Sequence, residues 1–214
     1  TSASLPVLHP GERVQVRYEQ GCDNHVELPV LQSECLTPAQ GEGHGLWGEY
    51  FNNTDLSGKP AATRVDGKID FWWLRPAGQV SAEQFSVRWT GRFTAPGSGR
   101  HVLQLVSSGA ARLYLDGRLL AETRPPSSDW PVSETETYVE LIAGKQHDLR
   151  VEYVKYAEVD FNMISLRLGY APRPEDDDRL ARAIALAQES DVAIVFAGMP
   201  TGYESEGRDR PNMD

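Results

Sequence analysis

The stretch that most constrains this chain is Phe85-Ser86-Val87-Arg88-Trp89-Thr90-Gly91-Arg92-Phe93. Phe85, Val87, Trp89 and, beyond Gly91, Phe93 all fall in step with a period of two, which sets them on one face of an extended strand and on no single face of a helix. The surrounding sequence repeats the theme in shorter pieces. Ala95-Pro96-Gly97-Ser98-Gly99 is a turn cluster, and Val102 to Val106 is a second apolar run. Arg112-Leu113-Tyr114-Leu115 leads into Asp116-Gly117 and Arg118-Leu119-Leu120. Asp-Gly accepts the positive φ angles of a type I′ turn, so this is the strongest hairpin signal in the chain. Tyr138 to Leu141, the turn Ala143-Gly144-Lys145 and Leu149 to Tyr153 predict a second hairpin, and Ile164 to Leu168 closes the series. Short strands with turn signals every ten residues or so predict an antiparallel sandwich or barrel from Leu46 to about Gly169.

The flanks read differently. Arg13 to Tyr18 alternates and predicts a short strand, and Gly21 to Gly45 reads as an irregular linker. Beyond Pro172 and Pro174, Glu175 to Ser190 predicts a helix, with Leu180, Ala183, Ile184 and Ala187 at i, i+3, i+4 and i+7. Glu175 to Asp178 would put negative charge in its first turn, where the helix dipole favours it. Asp191 ends the pattern. Val192 to Gly198 then reads as a strand buried on both faces, as in a parallel sheet. The expected fold class is therefore mainly β: an antiparallel β-sandwich inserted into part of an α/β (parallel-sheet) sandwich domain. The expected divisions are residues 1–43 (N-terminal α/β piece and linker), 44–170 (β-sandwich) and 171–214 (helix, buried strand and following loop).

Charge narrows the partners. Lys and Arg number 21 against 31 Asp and Glu, a net charge of -10. Such a chain is repelled by nucleic acid and by anionic membrane surfaces, so neither is expected as a partner. The apolar run Val192 to Gly198 is too short to span a bilayer. Thr1 to Gly11 has neither the basic start nor the apolar core of a secretory signal, which leaves the compartment open between secreted and cytoplasmic. Because the chain starts at Thr1 and stops at Asp214 within a loop, a piece of a longer protein is expected. Cys22 and Cys35 either close a loop of about fourteen residues, worth about 3 kcal/mol in the chain-entropy model, or stand as two thiols. Asn52-Asn53-Thr54 is a formal glycosylation sequon.

Ligands of open α/β sheets bind beyond the carboxyl ends of strands. The segment after the run at Val192 is Met199 to Asp214, which carries Glu204, Glu206, Asp209, Arg208 and Arg210 between Gly202 and Gly207. A carboxylate there serves as a general acid if partial burial raises its pKa. Arg208 and Arg210 would orient the loop by pairing with Asp209. On composition alone the segment reads as a solvated polar loop rather than a catalytic one.

Ser190 to Gly198, followed by Glu204-Ser205-Glu206-Gly207-Arg208-Asp209-Arg210, resembles the α/β sandwich domain of glycoside hydrolase family three. In β-glucosidases of that family a Glu-Ser-Glu-Gly-aromatic-Asp-Arg loop carries the general acid/base, which the resemblance places on Glu206. Arg208 stands where the aromatic usually follows. The resemblance implies a retaining mechanism, with an Asp nucleophile supplied by a separate (β/α) barrel about 5–5.5 Å from the acid/base. Ser128-Asp129-Trp130 matches the family's nucleophile motif in letters only. It lies in a proline-rich loop and not at a strand end, so Asp129 is expected to be a loop residue and the nucleophile to lie outside this chain.

Gly45-Leu46-Trp47-Gly48-Glu49-Tyr50-Phe51-Asn52-Asn53 resembles the start of the protective-antigen-type β-sandwich. The likeness continues through Ile69-Asp70-Phe71, Phe85 to Gly91, Arg112 to Gly117 and Ala143 to His147. Some members of that family bind sugars, a few through calcium held by paired Asp. Here Ser107-Ser108-Gly109 stands where those carboxylates would be, so no metal and no cofactor are expected. Asp116 reads as a turn residue. Trp72 and Trp130 are the candidates for stacking on substrate, while Trp73 and Trp89 read as core. His25, His44, His101 and His147 lack metal-ligand spacing and are expected at the surface or in turns.

Together these readings imply part of a retaining β-glucosidase acting on terminal β-D-glucosides or oligosaccharides. Glu206 would be the acid/base, and the inserted sandwich would shape the aglycone subsite. The alternative is a non-catalytic carbohydrate-binding module. A structural or protein-interaction sandwich is a third reading.

Overall fold

The computed structural model describes residues 14–22, 27–73, 80–81, 83–124, 132–156, 164–173 and 178–198. The chain divides into two compact units. One is Glu27–Glu175; the other joins Thr1–Val26 to Asp176–Asp214.

In the first unit the described strands are, in chain order, β1 (Leu36–Pro38), β2 (Leu46–Phe51), β3 (Ala62–Asp66), β4 (Asp70–Trp73), β5 (Phe85–Thr94) and β6 (Gly99–Ser107). They continue with β7 (Ala110–Leu115), β8 (Arg118–Thr123), β9 (Ser133–Leu141), β10 (Gln146–Lys155) and β11 (Ile164–Pro172). One sheet runs β3-β2-β5-β10-β7-β8, with β1 on the same edge of β5 beyond the end of β2. The other runs β4-β11-β6-β9. All of these pairings are antiparallel, as the alternating sequence predicts.

Period-two patterning decides what each strand buries. Phe85, Val87, Trp89 and Phe93 are all fully buried. They meet the facing sheet through aromatic pairs. Trp89 stacks on Phe71 of β4 at 5.4 Å between ring centres, and Phe93 meets Tyr170 of β11 edge-on at 5.5 Å. The opposite face of the larger sheet carries charge. Its register lines up Glu49, Arg88, Glu152, Arg112 and Glu122 across five strands, with alternating sign. Arg88 and Arg150 pair with Glu152 at 3.3 and 3.6 Å, and Arg112 with Glu122 at 2.6 Å. Opposite charges directly across a ladder contribute about 0.2–1 kcal/mol each and penalise a slipped register.

A polar cluster is sunk into one end of the core. Asp66 accepts hydrogen bonds from the Tyr50 hydroxyl (2.5 Å) and the Trp89 indole N–H (2.8 Å) on one carboxylate oxygen. The Arg64 guanidinium pairs with the other oxygen at 2.7 Å. Burial, then the Asp66 charge, pushes the Tyr50 hydroxyl far above its ordinary pKa, so it stays a donor. Gly48 makes room for the cluster: a Cβ there would lie 2.9 Å from the Asp66 carboxylate and 3.0 Å from the Trp89 indole nitrogen.

The type I′ turn predicted at Asp116-Gly117 forms, with φ of 51° and 77°, and joins β7 to β8. The second predicted hairpin does not. β9 pairs with β6 in the smaller sheet, and β10 with β5 and β7 in the larger. Residues 142–145 are a corner between sheets, held where Gly144 N–H donates to the Ala95 carbonyl and Ala95 N–H to that of Lys145. The sequence signals a turn there. It does not signal that both flanking strands already have better partners.

Two further expectations need correction, and one open alternative is decided. Residues 27–36, read within the linker, are packed: Leu28, Leu31 and Leu36 are buried, and Val30 bridges Gly169. Leu31 N–H donates to the Leu168 carbonyl and Tyr170 N–H to that of Pro29, so the start and finish of this unit lie side by side. His101 and His147 are buried rather than superficial. His101 stacks on Tyr170 at 5.3 Å, and His147 Nδ1 lies 2.7 Å from the Asp116 carboxylate. Cys22 and Cys35 are both free. Burial and then Glu34 push the Cys35 thiol up.

In the second unit, helix α1 (Arg179–Gln188) is shorter than Glu175 to Ser190. Asp178 stands at its N-cap and pairs with Arg182 rather than capping the backbone. Residues 14–22 meet this helix: Arg17 pairs with Glu189 and Arg182 with Glu19, each at 3.2 Å. Neither predicted strand forms among the described residues. Residues 14–18 and 192–198 have no regular structure, and Val16, Tyr18, Val195 and Phe196 are more than 80% exposed. A strand needs a hydrogen-bonded neighbour, and no described residue of this unit supplies one.

Removing the Asp66 carboxylate strands two buried donors, so Asp66→Ala should cost about 3 kcal/mol. A urea unfolding midpoint unchanged from wild type would contradict that. The hydrogen bond from His147 is the largest influence on the Asp116 carboxyl; burial opposes it, and the backbone N–H of Asp148 adds to it, so the carboxyl is held below the usual range. A lowered native pKa means that the unfolded chain takes up its proton first as the pH falls. The stabilisation is therefore whole at neutral pH and fades as the pH drops through the native value. Asp116→Asn, which suits the positive φ, should lose about 1 kcal/mol at pH 7. Its deficit should shrink below about pH 4; urea unfolding at both pH values checks it.

Candidate functional site

Among the described residues the smaller sheet exposes Trp72 on β4 and Tyr138 on β9, and the Arg100 guanidinium lies over the Tyr138 ring at 4.4 Å, so Trp72 is the more open of the two. In Asp70-Phe71-Trp72-Trp73 the alternation turns Phe71 inward onto Trp89 and leaves Asp70 and Trp72 on the outer face. Trp72 is 67% exposed, whereas Trp89 is fully buried. The register sets Trp72 opposite Ser165 and Asp70 opposite Arg167. A chain of charges runs along the same face beside the indole. Lys68 pairs with Asp70 at 3.2 Å, Arg167 lies 3.9 Å from Asp70, and Arg167 pairs with Glu27 at 3.2 Å. The Ser165 hydroxyl is buried on this face and makes no hydrogen bond among the described residues. The sequence marked Trp72. It did not mark Asp70, Arg167 and Glu27, although Asp70 and Trp72 two apart and Ser165 and Arg167 two apart are the period of one strand face.

Ser107-Ser108-Gly109 uses its hydroxyls internally. Ser107 donates to the Gly109 carbonyl at 2.6 Å and lies 2.7 Å from the Thr123 hydroxyl. Ser108 accepts the Ser165 N–H at 2.7 Å and approaches the Tyr153 hydroxyl, whose pKa burial pushes up to about 12. These serines tie β6 to β8, β10 and β11. Asp116 acts as the expected turn residue, and its second oxygen accepts the Asp148 N–H at 2.9 Å. Among the described residues no group of three or more His, Cys, Asp and Glu could hold a metal ion. None of the described helices is long and apolar enough to cross a membrane.

Glu206, Trp130, Asp129 and His25 lie outside the described residues, as does the whole of the segment Met199 to Asp214. Trp72 is thus the one site residue expected from sequence whose surroundings are visible. It is brought together with Asp70, Ser165 and Arg167.

Comparison with known proteins follows the same division. The PA14 domain model matches residues 42–178, well over half of the chain. A β-glucosidase of Rhizobium radiobacter is 28% identical over 207 residues, covering 92% of this chain and 24% of that protein. An anti-sigma-I factor of Acetivibrio thermocellus is 30% identical over 139 residues, covering 62% of this chain and 21% of its own length. The crystal structure of the Kluyveromyces marxianus β-glucosidase in complex with glucose superposes with a TM-score of 0.71 at 23% identity, over 94% of this chain and 26% of that one. That likeness shows the fold. The chain spans about a quarter of the length of the curated β-glucosidases it matches. By the family model and by the antiparallel sandwich it forms, the chain belongs to the PA14 domain family.

Proposed function

We propose that the chain is part of a retaining β-glucosidase of glycoside hydrolase family three, with the PA14 sandwich inserted into its α/β host domain. The observation that carries this reading is where the likeness reaches. The PA14 model stops at residue 178, whereas similarity to β-glucosidases continues through both flanks to cover 92% of the chain. Two further observations support it. Thr1–Val26 and Asp176–Asp214, far apart in sequence, form one compact unit. The exposed apolar residues around Val16 and Ile194 have the composition of strands that a larger sheet would bury.

In this reading Glu206 is the general acid/base. It protonates the glycosidic oxygen as the aglycone leaves, and then takes a proton from the water that attacks the glycosyl-enzyme. An Asp from a (β/α) barrel outside this chain is the nucleophile. The carboxyl must be protonated for the first step and ionised for the second, which suits a pKa raised by partial burial. The sandwich shapes the aglycone subsite, with Trp72 and Trp130 as its aromatic candidates, and the substrates are β-glucosides or oligosaccharides. A second reading, a non-catalytic carbohydrate-binding module, draws on the anti-sigma-I factor, which matches 62% of this chain outside any glucosidase.

In the whole enzyme, Glu206→Gln should lower kcat/KM on cellobiose by about 10²–10⁴-fold while largely sparing formation of the glycosyl-enzyme from a dinitrophenyl glucoside, whose leaving group needs no proton. Added azide should restore turnover and release the β-glucosyl azide. Equal loss on both substrates with no azide rescue would remove Glu206 from the acid/base role.

A further inference from the structure

We infer that the outer face of the smaller sheet around Trp72 is a carbohydrate platform, taking a pyranoside whose hydroxyls are equatorial, such as a β-linked glucoside. It rests on the carbohydrate reading above and requires nothing of Glu206.

The indole is the first part of the argument. A strand that needed only to close the sheet edge would gain nothing from a 67% exposed Trp, since an uncovered aromatic on an edge strand invites association. Here the edge is flanked by Lys68 and Asp70, so the plate stays presented and wet. A ring with equatorial hydroxyls presents its axial C–H bonds on both faces. Those electropositive hydrogens complement the electron-rich face of an indole.

The rim is the second part. A sugar that stacks must also satisfy the hydroxyls around its edge. Asp70 stands two residues from Trp72 along β4, about 7 Å away on the same face. Arg167 stands opposite Asp70 on β11. The carboxylate offers acceptors and the guanidinium donors, which is the mixed set that vicinal hydroxyls need. The ion pairs Lys68–Asp70 and Arg167–Glu27, both 3.2 Å, hold these groups before any ligand arrives and leave carboxylate lone pairs unspent. Ser165 is the third part. Its hydroxyl is on this face, in a residue only 5% exposed, and has no hydrogen-bond partner among the described residues. A buried hydroxyl without a partner is a polar group that the described fold leaves unsatisfied beside Trp72.

The test uses the full 214-residue chain and three probes: cellobiose, methyl β-glucoside and phenol. Binding is followed by isothermal titration and saturation-transfer NMR. Saturable binding of the two glycosides is expected. Trp72→Ala should weaken it by about tenfold or more, and Trp72→Phe should retain most of it. Asp70→Asn should weaken cellobiose too. Because Trp72 is exposed, its variants should keep the wild-type thermal midpoint, which separates lost binding from lost fold. The platform is overturned if neither glycoside binds, if Trp72→Ala binds both as wild type does, or if phenol alone binds. Since no hydrolysis is measured, these outcomes are separate from those of the Glu206 experiment: either proposal can fail while the other stands.

Discussion

The larger sheet depends on a charge that sits where a hydrophobic core should be. Asp66 is 8% exposed, yet it serves three donors from three other positions in the chain: Tyr50 on β2, Arg64 on β3 and Trp89 on β5. A buried carboxylate is tolerated only when its oxygens are fully engaged, and each of these partners has an independent reason to be there. Trp89 must also stack on Phe71 of the facing sheet. Fixing the indole N–H on Asp66 therefore fixes the plane of the ring, and the plane of the ring fixes how Phe71 is received. Because Phe71 alternates with Asp70 and Trp72 along β4, the same constraint reaches the outer face of the smaller sheet. A buried ion on one sheet is thus linked, through Trp89 and Phe71, to the strand that carries Trp72 on the other.

Much of the sandwich was legible because its cause is local. The period-two run at Phe85 needed only its own residues to declare a strand, and Asp116-Gly117 needed only its tolerance of positive φ to declare a turn. The corner at residues 142–145 was misread for the opposite reason. Whether two strands on either side of a turn pair with each other depends on competing strands elsewhere, and here β6 takes β9 along its whole length while β5 and β7 take both edges of β10. The burial of residues 27–36 was hidden for a similar reason. Leu28, Leu31 and Leu36 follow no period of their own; their positions are imposed by the edges of β5 and β11.

The candidate site divides along the same line. Trp72 was legible as a strand aromatic, and alternation puts it on the face opposite Phe71. Its polar neighbours were not, because Arg167 reaches Asp70 only through strand pairing between residues nearly a hundred apart, and Glu27 reaches Arg167 from outside any strand. The proposed acid/base assignment comes by a different route. Glu206 rests on motif resemblance, since a run of mixed charges between two glycines says nothing specific by itself. The two strand-like segments at residues 14–18 and 192–198 show the converse: composition can announce a strand that no described neighbour completes.

The adjacency of the sandwich's own ends has a consequence for how such proteins arise. Pro29 and Tyr170 are joined by a backbone hydrogen bond, so the polypeptide departs from this unit next to where it arrived. A module with that property can be spliced into a surface loop of almost any recipient. The recipient then has only a short gap to close, and the entropy of closing a loop depends weakly on how much folded matter hangs from it. Acquisition and loss of the sandwich would therefore leave a recipient's own core untouched, so that lineages can exchange this unit as a cassette among otherwise unrelated proteins.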